Sequence, residues 1–330
     1  MNALAAKPDA PSARLPAPSP DVRLIRIDDA HAGQRLDNFL IGLLKGVPKS
    51  RVYRIVRSGE VRINSARVSP ERRLVLGDLV RIPPVRVAAP DSVAPVPGQE
   101  FPILFEDAAL LVIDKPAGVA VHGGSGVNFG VIEQLRAARP QASLLELVHR
   151  IDRETSGVLI LAKKRAALVT MHEAMRQGRV GKRYLALVAG DWSGPPQALR
   201  FPLHRYLTAE GERRVAVQDG GQVAGTRVRA RARLVHPQFG PLTLMQADLE
   251  TGRTHQIRVH LAHVDHPLLG DEKYGHYELN KSLHKAGHKR MFLHAFETVF
   301  RHPIEGHEVR LQARLPAPFE SLMKACHEPL

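Results

Sequence analysis

Sixteen residues from Pro83 to Gly98, PPVRVAAPDSVAPVPG, contain five prolines. Each proline fixes its own φ and removes a backbone donor, so such a run cannot sit inside a helix or a central strand. It reads as an extended, semi-rigid linker over 86–98. The linker divides the 330 residues into a small domain at 21–85 and a large one at 99–330. The first twenty residues hold five Pro and six Ala. They have little to bury, and 1–20 is expected to be a disordered arm. No internal repeat of 20–50 residues is visible.

Charge is unevenly divided between these parts. The chain has a formal net charge of +14, from 47 Lys+Arg against 33 Asp+Glu. Between Gly33 and Val87, twelve Lys/Arg face four Asp/Glu, a net +8 in 55 residues. An excess of this kind favours a polyanion, with nucleic acid first and an anionic membrane surface second. No apolar run approaches the length of a membrane span, and no signal-peptide core follows Met1. The single cysteine, Cys326, excludes an internal disulfide framework and a Cys-rich zinc site. These features predict a cytoplasmic protein with no membrane partner, and the charge favours a monomer.

The small domain has a readable plan. Leu36, Phe39, Leu40, Leu43 and Leu44 mark one apolar helix face, with Gly46 as its stop. A second helix begins near Ser50, a candidate cap, and turns Val52, Ile55 and Val56 inward. Arg51, Arg54 and Arg57 recur on another face beside Lys49. Alone, such a stripe is a solvated face. In a compact domain of the same sign it reads as phosphate contact. Short strands follow at Val61–Ile63 and Leu79–Ile82, with a turn at Asn64-Ser65. The segments GQRLDNFL, PKSRVYRIVRSGEVRIN and GDLVRIPP resemble the S4 RNA-binding domain. That resemblance implies an RNA partner without fixing an activity.

The large domain alternates β-prone runs, such as Leu110–Ile113 and Val158–Ala162, with fewer helices. It predicts an α+β fold on a mixed, largely antiparallel sheet. Three polar segments stand out. HRIDRETSG (149–157) runs straight into a buried strand and places Asp152 between Arg150 and Arg153. By itself that is also a surface turn with an Asp–Arg pair. GKRYLALV (181–188) carries Tyr184, which alone would be a half-buried core tyrosine. GRTHQIRVHLAHVDHPLLGDEKYG (252–275) packs Arg253, His255 and Arg258 closely.

Other patterns carry less. His260, His263 and His266 are spaced by three, but Pro267 breaks the helix just after His266 and Cys326 is far along the chain. No metal is expected. Gly123-Gly124-Ser125-Gly126 lacks the Gly-Lys-Ser/Thr ending of a phosphate loop. It reads as a flexible loop near a pocket. Asp152 and Glu154 are too close in sequence to suggest the paired carboxylates of a glycosidase.

Taken together, the three segments and ILFEDAALLVIDKPAGVAVHGG (103–124) resemble the RluA-type pseudouridine synthases over nearly the whole chain. The resemblance implies an isomerase that acts on flipped-out uridines of large-subunit (23S) ribosomal RNA and needs no cofactor. It implies Asp152 as the catalytic carboxylate, Arg258 as its basic partner and Tyr184 as the tyrosine against the target base. A guanidinium beside a carboxylate holds it charged and oriented. Arg150, Arg253 and His255 are candidates for holding the displaced strand. Lys49, Arg51, Arg54 and Arg57 are candidates for phosphate contact.

Overall fold

The computed structural model describes residues 22–327, apart from Asp29, Lys45, Gly46, 86–94, 125 and 126. The arm expected at 1–20, the helix stop at Gly46, most of the expected linker and half of the Gly123–Gly126 loop lie outside the described residues. The chain divides between Ala94 and Pro95 into two compact units.

In the first unit, strand β1 (Arg23–Arg26) precedes helices α1 (Leu36–Leu43) and α2 (Lys49–Arg57). Strands β2 (Arg62–Ile63), β3 (Ala66–Arg67) and β4 (Leu79–Ile82) follow. The four strands form an antiparallel sheet in the order β1-β4-β2-β3. Leu36, Phe39 and Leu40 of α1 pack with Val52, Ile55 and Val56 of α2 and with Ile63, Val80 and Ile82. Ser50 does not cap α2. Pro48, at φ −55°, supplies the entry geometry, the helix starts at Lys49, and no side chain caps it. Asn64 and Ser65 have φ of +49° and +68°, which closes the β2–β3 hairpin with the right twist.

The second unit opens with β5 (Ile103–Glu106), β6 (Leu110–Lys115), α3 (Val131–Ala138), β7 (Glu146–Leu147), β8 (Ser156–Ala162), α4 (Arg165–Arg176) and β9 (Gly181–Ala189). Then come β10 (Gln197–Leu199), the hairpin of β11 (Leu203–Leu207) and β12 (Arg213–Val217), β13 (Thr226–His236) and β14 (Gly240–Leu249). The chain closes with α5 (Gln256–His263), α6 (Tyr277–Lys285), β15 (Leu293–Arg301), β16 (Glu308–Gln312) and α7 (Ala317–Lys324). The main sheet runs β10-β13-β14-β9-β15-β8-β6-β5, with β16 beside β15 and β7 beside β8. Every pairing in it is antiparallel except β8 with β15. The fold is therefore α+β on a mixed, largely antiparallel sheet.

The apolar runs of β6 and β8 follow from cover on both faces. Leu111, Ile113, Leu159 and Leu161 pack toward α3 and α5. Leu110, Val112, Val158 and Ile160 pack toward α4. Where β8 meets β15 the backbones approach closely. Gly157 has φ +108°, and a Cβ there would lie 2.2 Å from the Ala295 carbonyl oxygen. The residue ending the 149–157 segment must therefore be glycine. No helix among the described residues is long and apolar enough to cross a membrane.

Candidate active site

Asp152 lies on the loop between β7 and β8, where two cavities meet. One, of about 330 Å³, is lined by Tyr184, Leu249, Ile257 and Leu293, with His149, Thr155, Lys182 and Arg253 among its polar residues. The other, of about 610 Å³, is lined by His122, Arg153, Glu154, Asp271, Lys273 and Lys289, among others. Arg150, Ile151, Asp152, His255 and Arg258 line both.

The loop is tied down from below. Lys115, at the end of β6, is fully buried, and its ammonium donates to the carbonyls of Pro116 (2.8 Å), Val119 (2.7 Å) and Arg153 (3.0 Å). Gly118 N–H donates to the same Arg153 carbonyl at 2.9 Å. Burial pulls the Lys115 ammonium down to about 7, against the opposing pull of Glu154 and Asp152. Ile151 is buried, which fixes Asp152 one residue on with its side chain 20% exposed.

Helix α5 brings Arg258 to the loop. Its Nη1 donates to Asp152 Oδ2 at 3.2 Å. Its Nε and Nη2 donate to the two oxygens of Asp271, each at 2.7 Å. Asp271 is 1% exposed and also accepts the backbone N–H groups of Lys273 (2.9 Å) and Tyr274 (3.2 Å). Burial disfavours the Arg258 charge, but the two carboxylates outweigh it and hold its pKa above the ordinary range. The Tyr274 ring lies 5.0 Å from the same guanidinium, within cation–π reach.

His255 caps the start of α5 in the left-handed region, at φ +53°. Val215 N–H donates to the Tyr274 hydroxyl at 3.0 Å, and the same hydroxyl is hydrogen-bonded with His255 Nδ1 at 2.8 Å. The other ring nitrogen, Nε2, is 3.9 Å from Asp152 Oδ2. Burial pulls His255 down to about 4, so the imidazole is neutral at pH 7.

Tyr184 stands on β9 in a row of small neighbours. The register runs Ala247, Tyr184, Ala295, Gly157 across β14, β9, β15 and β8. Three side chains of a methyl group or less leave space beside the ring. Burial and the charge of Asp152 push the Tyr184 phenol above its ordinary pKa, so it stays protonated.

Asp152, Tyr184, Arg258, Arg150, Arg253 and His255 thus share one cleft. Arg150 is exposed. Arg253 is tethered through Nε to the Val223 carbonyl at 3.1 Å. His255 is inside the cleft wall, with its side chain 16% exposed. Lys49, Arg51, Arg54 and Arg57 lie on α2 in the other unit, with Val52, Ile55 and Val56 inward. The sequence alone does not mark Asp271 or Lys115 as site residues. Their only marks there are an acid inside GDEKYG and a lysine closing an apolar strand before proline.

The histidine triplet is spent on the protein. His260 is fully buried, with Nδ1 3.0 Å from the Thr226 hydroxyl and Nε2 3.0 Å from the Phe201 carbonyl. His263 packs edge-on against Phe201 and His266 against Trp192.

Residues 109–263 match the RNA pseudouridylate synthase family. The chain is 49% identical over 314 residues to the ribosomal large subunit pseudouridine synthase C of Yersinia pestis, across 93% of this chain and 95% of that protein. It is 47% identical over 313 residues to the protein of the same description from Haemophilus influenzae, across 93% and 96%. Among solved structures, the human RNA pseudouridylate synthase domain containing 1 superposes with a TM-score of 0.57 at 26% identity. That alignment covers 74% of this chain and 93% of the human chain. The chain belongs to the RNA pseudouridylate synthase family, isomerases that turn uridine into pseudouridine.

Proposed function

We propose that this isomerase acts on uridines of large-subunit (23S) ribosomal RNA, with Asp152 as its catalytic carboxylate. The observation that carries the catalytic assignment is the chain of contacts Asp271–Arg258–Asp152, which aims one carboxylate at the junction of two cavities. The RNA assignment is supported by relatives named for the large ribosomal subunit that align over more than nine tenths of both chains.

The reaction breaks the uridine N1–C1′ bond, turns the base and joins C5 to C1′. One proton leaves C5 and one is gained at N1, so no electrons are exchanged and no cofactor is called for. Asp152 either attacks C1′ to give an acylal or removes the C2′ proton to give a glycal; both routes need a charged, oriented carboxylate. Arg258 supplies the orientation. Tyr184 packs against the base with its hydroxyl protonated. The target uridine leaves its stack to enter the cleft, at a cost of roughly a few kcal/mol. Arg150, Arg253 and His255 hold the strand it leaves. In the first unit, Lys49, Arg51, Arg54 and Arg57 neutralise phosphates, in the manner of the S4 domain it resembles. The protein works in the cytoplasm, as a monomer.

Mapping tests this reading. Carbodiimide-blocked reverse transcription of ribosomal RNA from a deletion strain should lose specific stops in the large-subunit RNA. Unchanged large-subunit stops, with stops lost from transfer RNA instead, would contradict the target.

A further inference from the structure

The outer face of the first unit's sheet carries an arrangement that the α2 stripe does not include. Leu24 lies opposite Arg81, Arg81 opposite Arg62, and Arg62 opposite Arg67. Residues directly opposite one another share a face, so three guanidiniums stand in one row across β4, β2 and β3. Ile63, Val80 and Ile82, the alternate residues, face the core with α1 and α2. The row therefore points away from both helices.

Like charges directly opposite each other destabilise a sheet. Among the described residues no carboxylate pairs with the row. Arg81 donates to the Glu60 carbonyl oxygen at 2.8 Å. Arg62 donates to the carbonyls of Gly59 (3.2 Å) and Ser65 (3.3 Å). The Glu60 carboxylate accepts the Ser58 hydroxyl at 2.7 Å. The row lines a concavity of about 530 Å³, together with Ser58, Glu60 and Ser65. Gly59 has φ +77°, and a Cβ there would lie 2.6 Å from Arg67 Nε. The backbone angle favours glycine in this turn, and the exposed Arg67 side chain lies across it.

We propose that Arg62, Arg67 and Arg81 form a phosphate-binding row for RNA, so that the first unit grips the nucleic acid on a second face besides α2. The inference rests on the reading of this unit as an RNA grip. Neighbouring strands are about 4.8 Å apart, so the row spreads its charge over roughly 10 Å. That length suits successive phosphates of one strand better than a single small anion. A lipid surface would want several apolar anchors beside the cations; here Leu24 alone, 62% exposed, ends the row.

The test uses the full chain and a large-subunit RNA fragment, with affinity measured across salt concentration. Each lost phosphate contact lowers the log K against log salt slope by about 0.7–0.9. A triple variant, Arg62→Gln, Arg67→Gln and Arg81→Gln, should flatten the slope by about 2 to 3. Arg62→Gln alone should flatten it by about 1, and its thermal midpoint should equal or exceed that of the parent because repulsion is relieved. A matched variant on α2, Arg51→Gln, Arg54→Gln and Arg57→Gln, serves as the reference. If the α2 variant flattens the slope and the sheet variant keeps the parental one, the proposed row is wrong. If neither variant changes it, the RNA grip of the whole unit falls, and the row with it. Row-dependent binding to anionic phospholipid vesicles with unaltered RNA binding would also overturn the proposal.

Discussion

Arg258 serves two acids with one guanidinium, and the two contacts differ. The paired bonds to Asp271 are short and buried, while the single bond to Asp152 is 3.2 Å and faces the cleft. Bidentate charge-assisted pairs are the stronger kind, so Asp271 fixes the guanidinium that then aims Asp152. Asp271→Asn should lower the single-turnover rate by about 10- to 100-fold and leave RNA affinity within about twofold, since misplaced groups cost rate before binding. Equal losses in both would make Asp271 a fold residue only. Asp152, Tyr184 and Arg258 were legible because each lies in a dense polar segment matching a family pattern. Asp271 was not, because its partner is thirteen residues away across a helix end, and spacing does not reveal that contact. A second prediction concerns pH. Burial holds His149, His255 and His294 each at about 4, below the ordinary value of 6.5. Unfolded histidines bind protons that these cannot, so the stability they give is present above about 6.5 and is lost as pH falls toward 4. The thermal midpoint should drop by several degrees between pH 7 and pH 5. A flat profile over that range would mean these imidazoles are not buried neutral.

The β8–β15 contact is the element on which the site hangs. It joins the strand that follows Asp152 to the strand beside Tyr184, and it is the one parallel pairing in the sheet. Gly157→Ala puts a methyl group 2.2 Å from the Ala295 oxygen, at a backbone angle that side chains rarely adopt. We expect a loss of stability of about 3 kcal/mol or more, measured by urea unfolding; a loss below about 1 kcal/mol would show that the seam can open. Sequence patterning located most elements, because β6, β8 and β9 carry apolar or alternating runs. It did not show the parallel pairing, which joins residues 138 apart in the chain through Ser156 and His294. Ser50 reads as a cap in the sequence but is none, because the composition of a helix start does not show that Pro48 already sets the entry angle.

At the scale of the molecule, the net charge of +14 divides between two compact units, with a net +8 lying between Gly33 and Val87. If the first unit supplies phosphate contacts and the second the chemistry, removing residues 1–94 should weaken RNA binding and flatten its salt dependence. The cleft around Asp152 should stay intact, and a short uridine-containing RNA should still be converted at saturating concentration. An unchanged salt slope would remove the first unit from RNA binding. The α+β architecture is legible in the alternation of runs, and the boundary between the two units, Ala94–Pro95, falls within the proline-rich segment. The row formed by Arg62, Arg67 and Arg81 is not legible, because it exists only once three strands are in register. The most direct test of the central claim is Asp152→Asn, which keeps the shape of the side chain and removes its charge. The pure variant, still folded and still bound to ribosomal RNA, should form no pseudouridine in a single-turnover assay. Conversion at the parental rate would show that Asp152 is not the catalyst.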